Sequence, residues 1–378
     1  KNKLKFNITV EGRGMAMRYK FLIIAAVLIL CGCSNNSDKK TINIAVTGSP
    51  GVYSEYYEQG IKKAYNDVCE EYKDSGFEIN CEFYDDKDDY ETAEKITAGL
   101  VNDSSITAVI GSSSAEICKN QAYLTDRNDK ILVCPHRIYD SMLENENYGK
   151  VFSLNYSSKD IGNVMLYIAK ESTAEKWAVC YSDDEISREE IKEFNNSNGN
   201  DLNVVDFVKI NTLMADFDNV TDRWELLGVE GIVLIPYDDE GFDLLYKLKD
   251  KMPYLYVISD ASLDDDNELQ SNEKYFENVY LVDDFYISEE ESETFDDEEY
   301  LDTWEIHGYN AFRMIVDTAI KNNTDDPEKI SEILHREGYS GALESYRFNE
   351  KGALEAEEFT YIEITVEGTD LYSILASN

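Results

Sequence analysis

The chain has 378 residues, 43% of them hydrophobic, and a formal net charge of −42 at neutral pH. The hydrophobic content excludes global disorder, and the length suffices for two domains with separate cores. The acidic balance makes nucleic acid and anionic lipid surfaces poor partners.

The first patterned segment, Phe21–Leu30 (FLIIAAVLIL), is ten apolar residues long, about half of the roughly 20 that a helix needs to cross a bilayer. Arg18 and Lys20 precede it and small Gly32 follows, the order of a secretory signal. Leu30-Cys31-Gly32-Cys33 resembles the bacterial lipobox, which implies cleavage before Cys33 and acylation of that cysteine. The other reading, a buried N-terminal helix, finds no apolar stripe continuing through Ser34–Lys40. Several acyl chains, at ~0.8 kcal/mol per buried CH₂, would hold the protein on a membrane. Residues 1–14 precede Met15 and Met17, either of which would start a signal of ordinary length. Residues 1–32 hold six basic residues and one acid, so the 346 residues from Cys33 onward carry a charge near −47.

Beyond the tether Ser34–Lys40, a flexible spacer by composition, short β-rich runs alternate with helical periods. Ile42–Thr47 (INIAVT) predicts a strand, and Ile61, Ala64, Tyr65 and Val68 fall at helical spacing within Ser54–Tyr72. Strand Phe77–Tyr84, helix Tyr90–Asn102, strand Ile106–Gly111, helix Ser114–Arg127 and strand Ile131–Pro135 follow. The rhythm restarts at Phe152–Ser157, which leads into helix Lys159–Glu171, strand Trp177–Tyr181 and helix Asp184–Asn195. Strand Val204–Ile210, helix Phe217–Leu227, strand Gly231–Pro236, helix Glu240–Lys249 and strand Tyr254–Ser259 complete that block. Asn278–Tyr286 is a further strand or a crossover, and Trp304–Asn322 and Glu328–Arg336 are helices. Runs as apolar as ITAVIG and GIVLIP belong to parallel sheets covered on both faces. Two successive βαβ blocks therefore predict an α/β chain of two doubly wound parallel-sheet lobes.

Catalytic motifs are missing: His136, His307 and His335 lie in no H-E-x-x-H, and there is neither a G-x-S-x-G nor a P-loop. His307 and His335, near helix ends, read as structural, so no enzyme is expected. Cys69, Cys81, Cys118, Cys134 and Cys180 are odd in number without C-x-x-C spacing, which predicts neither a disulfide framework nor a zinc site. A Cys69–Cys81 bridge stays open. Ile287–Tyr300, mostly Glu and Asp, reads as a solvated loop. There, and at Asp264–Asp266, the EF-hand spacing and turn glycine for Ca²⁺ are missing, so no metal or cofactor is expected.

Open α/β sheets bind ligands beyond the carboxyl ends of their strands. That rule selects Thr47–Tyr53, Gly111–Ser114 and Pro135–Ile138 in the first lobe, and Tyr181–Asp183, Tyr237–Asp239 and Asp260 in the second. Gly111-Ser112-Ser113-Ser114 runs from strand into helix. It reads either as an anion site of backbone N–H groups and hydroxyls or as a plain serine N-cap.

These residues carry a family resemblance. INIAVTGSPG, QGIKKAYNDV, EFYDDKDDYETAEKITAGLV, ITAVIGSSSAE and ILVCP come first. FSLNYSSKDIGNV, GIVLIPYDDEGFDLL, HGYNAFRMIVDTAI and YSGALESYRFNEKGAL follow. In this order, behind a lipobox, the chain resembles the type I periplasmic solute-binding proteins typified by the leucine/isoleucine/valine-binding protein of bacterial ABC-type transporters. The resemblance covers nearly all of Thr41–Thr365 and implies two lobes joined by three crossovers, near Phe152–Ser157, Leu281–Phe285 and Tyr346–Asn349, that close on a small ligand like a clamp. It implies that Ser112, Ser113 and Ser114, with the loop after ILVCP, hold the ligand's α-carboxylate and α-amino groups.

That second loop has His136, Arg137 and Ile138 where the family's amino-acid binders carry small residues and a threonine, a departure from an ordinary aliphatic amino acid. Arg137 either pairs bidentately with a carboxylate or phosphate or answers the acidic bulk from the surface. Tyr237 and Asp260 match the family's aromatic wall and its acidic partner for a ligand amine, Asp260 alternatively capping a turn. Asp183 joins them in the second lobe, Tyr53 and Tyr156 supply aromatic walls from the first lobe and hinge, and Ile186 replaces a family tyrosine.

The resemblance implies a lipid-anchored receptor on the outer face of the cytoplasmic membrane. It would deliver a small polar solute, amino-acid-like or another carboxylate, to ABC-type permease subunits. Lobe 1 is expected at 41–153 plus 283–346 and lobe 2 at 157–281 plus 349–378. A sensory receptor without transport and a scaffold or adhesion lipoprotein without a ligand are the other classes open.

Overall fold

The computed structural model describes residues 39–49, 52–112, 114–134, 148–199, 201–236, 240–263, 266–283, 303–341, 345–355, 358–365 and 368–375. Cys33 and the acidic run 287–300 lie outside these residues. No helix among them is long and apolar enough to cross a membrane.

β1 (Lys40–Gly48), α1 (Val52–Glu71), β2 (Phe77–Asp85), α2 (Tyr90–Asn102), β3 (Ala108–Ile110), α3 (Ala115–Asp126), β4 (Ile131–Cys134) and β5 (Val151–Ser153) build the first lobe in the order β2-β1-β3-β4-β5. Every pairing in this sheet is parallel. The inner strands β3 and β4 are buried at every residue, as their uninterrupted apolar runs require, whereas β2 at the edge leaves several side chains in solvent.

The chain then enters the second lobe. α4 (Ser158–Glu171) starts from a capping box between Ser157 and Asp160. β6 (Lys176–Tyr181), α5 (Glu185–Asn198), β7 (Asn203–Lys209), α6 (Ile210–Ala215), α7 (Phe217–Leu227), β8 (Gly231–Ile235), α8 (Glu240–Lys251), β9 (Tyr256–Asp260), α9 (Asp266–Ser271) and β10 (Val279–Asp283) follow. α10 (Thr303–Lys321), α11 (Pro327–Glu337) and the short pair β11 (Tyr339–Ser340) and β12 (Ser345–Tyr346) return to the first lobe. β13 (Glu358–Thr365) and β14 (Gly368–Leu375) complete the second sheet, ordered β14-β13-β10-β9-β8-β6-β7. The chain thus passes between lobes three times. The sheet is not wholly parallel, because β13 runs antiparallel to β10 and β14 antiparallel to β13.

α10 packs against α1 through glycine. A Cβ on Gly60 would lie 1.8 Å from the Glu305 carbonyl oxygen, and one on Gly308 2.2 Å from that of Tyr57. Two bare backbones let the helices meet.

The first and third passages between lobes are packed together. Phe152, Leu154 and Tyr156 are buried in the hydrophobic cluster that also holds Ile161 and Met165 of α4. The Ser153 N–H donates to the Gly352 carbonyl at 3.0 Å. His335 of α11 lies against the Phe152 ring, with its ring nitrogens 2.9 Å from the Asn349 carbonyl and 3.0 Å from that of Gly149. Its position near a helix end is therefore structural, as the sequence suggests. Among the described residues, Cys69, Cys81, Cys118, Cys134 and Cys180 form no disulfide.

Candidate functional site

Parallel register aligns the strand ends: Gly48 pairs with Asp85 and Val46 with Ile110. The residues after β1, β2 and β3 therefore share one end of the first sheet. Ser112 is fully buried there; its N–H donates to Gln121 Oε1 at 3.0 Å and its carbonyl accepts from Cys118 Sγ at 3.1 Å. Ser114 Oγ caps α3 by accepting from the Ile117 N–H at 3.4 Å, and the Ser114 N–H donates to Ser112 Oγ at 3.4 Å. The N-cap reading thus holds for Ser114, and the Ser112 N–H is already engaged by the protein. Ser113, between them, lies outside the described residues.

A buried polar network supports this loop. Gln121 Nε2 donates to Thr47 Oγ1 at 2.8 Å and to Thr97 Oγ1 at 3.4 Å, and Thr47 Oγ1 donates to the Ile110 carbonyl at 3.4 Å. Linked bonds of this kind fix one loop geometry, because breaking any of them strands a buried group. Asp86, directly after β2, is fully buried beside it. Its Oδ1 accepts from the Asp88 N–H at 3.0 Å, while its Oδ2 meets no donor in hydrogen-bond geometry among the described residues. Burial pushes the Asp86 carboxyl above its usual range, against the opposing pull of the Asp88 N–H and the Ser112 hydroxyl.

In the second lobe Tyr181 pairs with Ile235 and Val233 with Ile258, so the residues after β6, β8 and β9 also share one end. Asp183 is exposed there, with Lys209 Nζ 2.6 Å from Oδ2 and Arg188 Nε 3.3 Å from Oδ1. The Lys209 hydrogen bond, followed by the charges of Lys209 and Arg188, holds its carboxyl below the usual range. Asp260 ends β9, is buried, and its Oδ1 accepts from the Ser262 N–H at 3.1 Å, the turn-capping role. Tyr156 is buried in the core at the first passage. Tyr53 stands in the first turn of α1, its side chain outside the described residues, as are His136, Arg137 and Tyr237.

Four described candidates thus fall at two strand-end clusters, Ser112 and Ser114 in one, Asp183 and Asp260 in the other, whereas Tyr156 lies in the hydrophobic core. Sequence reasoning missed Asp86 and Gln121. Asp86 carries a readable signal, since it follows a strand as the other candidates do, whereas Gln121 lies mid-helix and shows its role only through contacts. Among the described residues no group of three or more His, Cys, Asp or Glu is placed to hold a metal ion.

A family model described as "Periplasmic binding protein" matches residues 42–356. No curated protein sequence matches. Among solved structures, an ABC transporter substrate-binding protein from Desulfitobacterium hafniense, in complex with Leu, is 17% identical with a TM-score of 0.74, covering 88% of this chain and 100% of its own. The branched-chain amino acid transporter substrate-binding protein LivJ from Streptococcus pneumoniae, in complex with isoleucine, is 15% identical with a TM-score of 0.72, covering 89% and 100%. A solute-binding protein of an ABC transporter from R. palustris, in complex with benzoate, is 10% identical with a TM-score of 0.69, covering 89% and 98%.

Proposed function

The chain belongs to the periplasmic binding protein family, and from that premise we propose that it captures a small carboxylate-bearing solute between its lobes and delivers it to an ABC-type importer. The observation that carries this reading is the serine loop at the carboxyl end of β3, braced from behind by Gln121 and Thr47. The similar structures named above hold leucine, isoleucine and benzoate, all carboxylates. Ser113 and Arg137 are the groups proposed to meet the solute's carboxylate. The proposed lining is completed by Tyr53, Ser112, Ser114, His136 and Tyr156 from the first lobe and hinge and by Asp183, Tyr237 and Asp260 from the second. The protein is proposed to act outside the cytoplasm, anchored through an acylated Cys33, and to catalyse no reaction.

Binding favours the closed state by as much as the solute prefers it to the open one. The test is a thermal-shift screen of residues 34–378 against amino acids, aromatic and aliphatic carboxylates, polyamines and nucleosides. A true solute at ~100 times its Kd stabilises by about 2.7 kcal/mol. A carboxylate hit lost in Arg137→Ala or Ser113→Ala supports the reading. Stabilisation by polyamines or nucleosides alone contradicts it.

A further inference from the structure

Among the described residues, one ion pair joins the two lobes. Lys119 on α3 of the first lobe reaches Glu185, the first residue of α5 in the second, with Nζ 3.1 Å from Oε1 and 3.4 Å from Oε2. The other ion pairs among those residues close within one lobe, as Lys150 does with Asp129 and Arg223 with Asp206. α3 begins at the serine loop and α5 just after Asp183, so this pair connects the two strand-end clusters. Both side chains are 43% exposed, which places the contact at a rim.

The chain carries a net charge of −42, so bringing two acidic lobes together sets like charge against like. A lysine from one lobe facing a glutamate of the other makes this one contact attractive. We propose that Lys119 and Glu185 form an ionic latch that sets the closing equilibrium of the empty clamp and, through it, how long a captured solute is held. The inference rests on the clamp reading of function but concerns the protein without its solute.

Salt separates the latch from the background. The Debye length falls from about 10 Å at 0.1 M to about 3 Å at 1 M. Screening weakens the latch and opens the clamp, whereas screening of the general acidic repulsion closes it. The two effects have opposite signs.

The test is small-angle X-ray scattering of solute-free residues 34–378 at low and high NaCl, with the open fraction read from the radius of gyration. The wild type is expected to be more compact than Lys119→Glu at low salt, and the gap to narrow at high salt. Lys119→Glu is expected to raise the open-to-closed ratio by about five-fold, the upper end for an exposed pair, and to contract with salt. Glu185→Gln is expected to lie between the two, and the exchange Lys119→Glu/Glu185→Lys to restore wild-type behaviour. Both positions are half-exposed, and circular dichroism checks that each variant is folded. Identical dimensions and salt response in wild type, Lys119→Glu and Glu185→Gln would overturn the latch, and so would an exchange variant that fails to recover. No solute is present, so a screen without a hit leaves this result readable.

Discussion

Gly352→Ala is expected to destabilise the protein by about 3 kcal/mol. Gly352 has φ of +80°, a region that costs an L-residue about 1–2 kcal/mol. A Cβ there would stand 1.6 Å from the Val151 carbonyl oxygen and 2.8 Å from its carbon. Backbone cannot swing aside like the end of a side chain, so the two segments must separate. Separation breaks the bond from the Ser153 N–H to the Gly352 carbonyl, a loss of about 1 kcal/mol. Gly99 is the control: it lies exposed in α2 with nothing within 4 Å of an added Cβ. Alanine there gains about 1 kcal/mol of helix propensity. The same chemical change therefore has opposite signs at the two positions. Urea denaturation followed by circular dichroism should show a lower midpoint for Gly352→Ala and a higher one for Gly99→Ala. A Gly352→Ala protein within about 0.5 kcal/mol of wild type, less than half of the φ penalty expected at the upper end, would refute the packing argument at the hinge.

Gln121→Leu deprives the Ser112 N–H of its acceptor and the Thr47 hydroxyl of the donor it accepts from, while that hydroxyl's own bond to the Ile110 carbonyl remains. A loss of about 2 kcal/mol in the same denaturation assay is expected, with a weakened thermal shift for any bound solute. Asp86→Asn removes a buried carboxyl whose raised folded pKa makes its contribution present at low pH and lost as pH rises through that value. The variant should therefore gain on wild type between acid and neutral pH and hold that gain above it, as urea melts across the range will show. Burial pushes Lys249 down to about 8, although its ammonium donates to the carbonyls of Leu255 and Glu277. A depressed lysine contributes stability above its unfolded pKa and loses it as pH falls through the folded one. Wild type should therefore gain about 2 kcal/mol on Lys249→Met between pH 8 and pH 10, measured by chemical denaturation at both pH values.

Much of the architecture was legible because the driving force is local. Runs such as Ile131–Cys134 and Gly231–Ile235 have no polar residue to place in water, and both are buried at every position. The β13–β14 hairpin has no clear signature in the sequence because in Glu358–Thr365 apolar residues fall on both faces, blurring the period of two that marks a half-buried strand. The expected strand Val204–Ile210 overlaps α6 only at Ile210, and the rest of α6 has no sequence signal because the helix follows Lys209 directly without a side-chain cap.

At the site, sequence locates strand ends but not which polar groups are already taken. Ser112 and Ser114 look alike in GSSS, yet one N–H is held by Gln121 and one hydroxyl by α3. Lys119 and Glu185 are 66 residues apart. Only the packing of two helices from different lobes brings them together, which no local pattern records.

The most direct test of solute capture is a crystal structure of the protein grown with the carboxylate that stabilises it most. Solute capture places the carboxylate group at the loop between β3 and α3, with the rest of the molecule expected to touch residues after β8 or β9 of the other lobe. A molecule bound to one lobe only, or away from the strand ends, would contradict it.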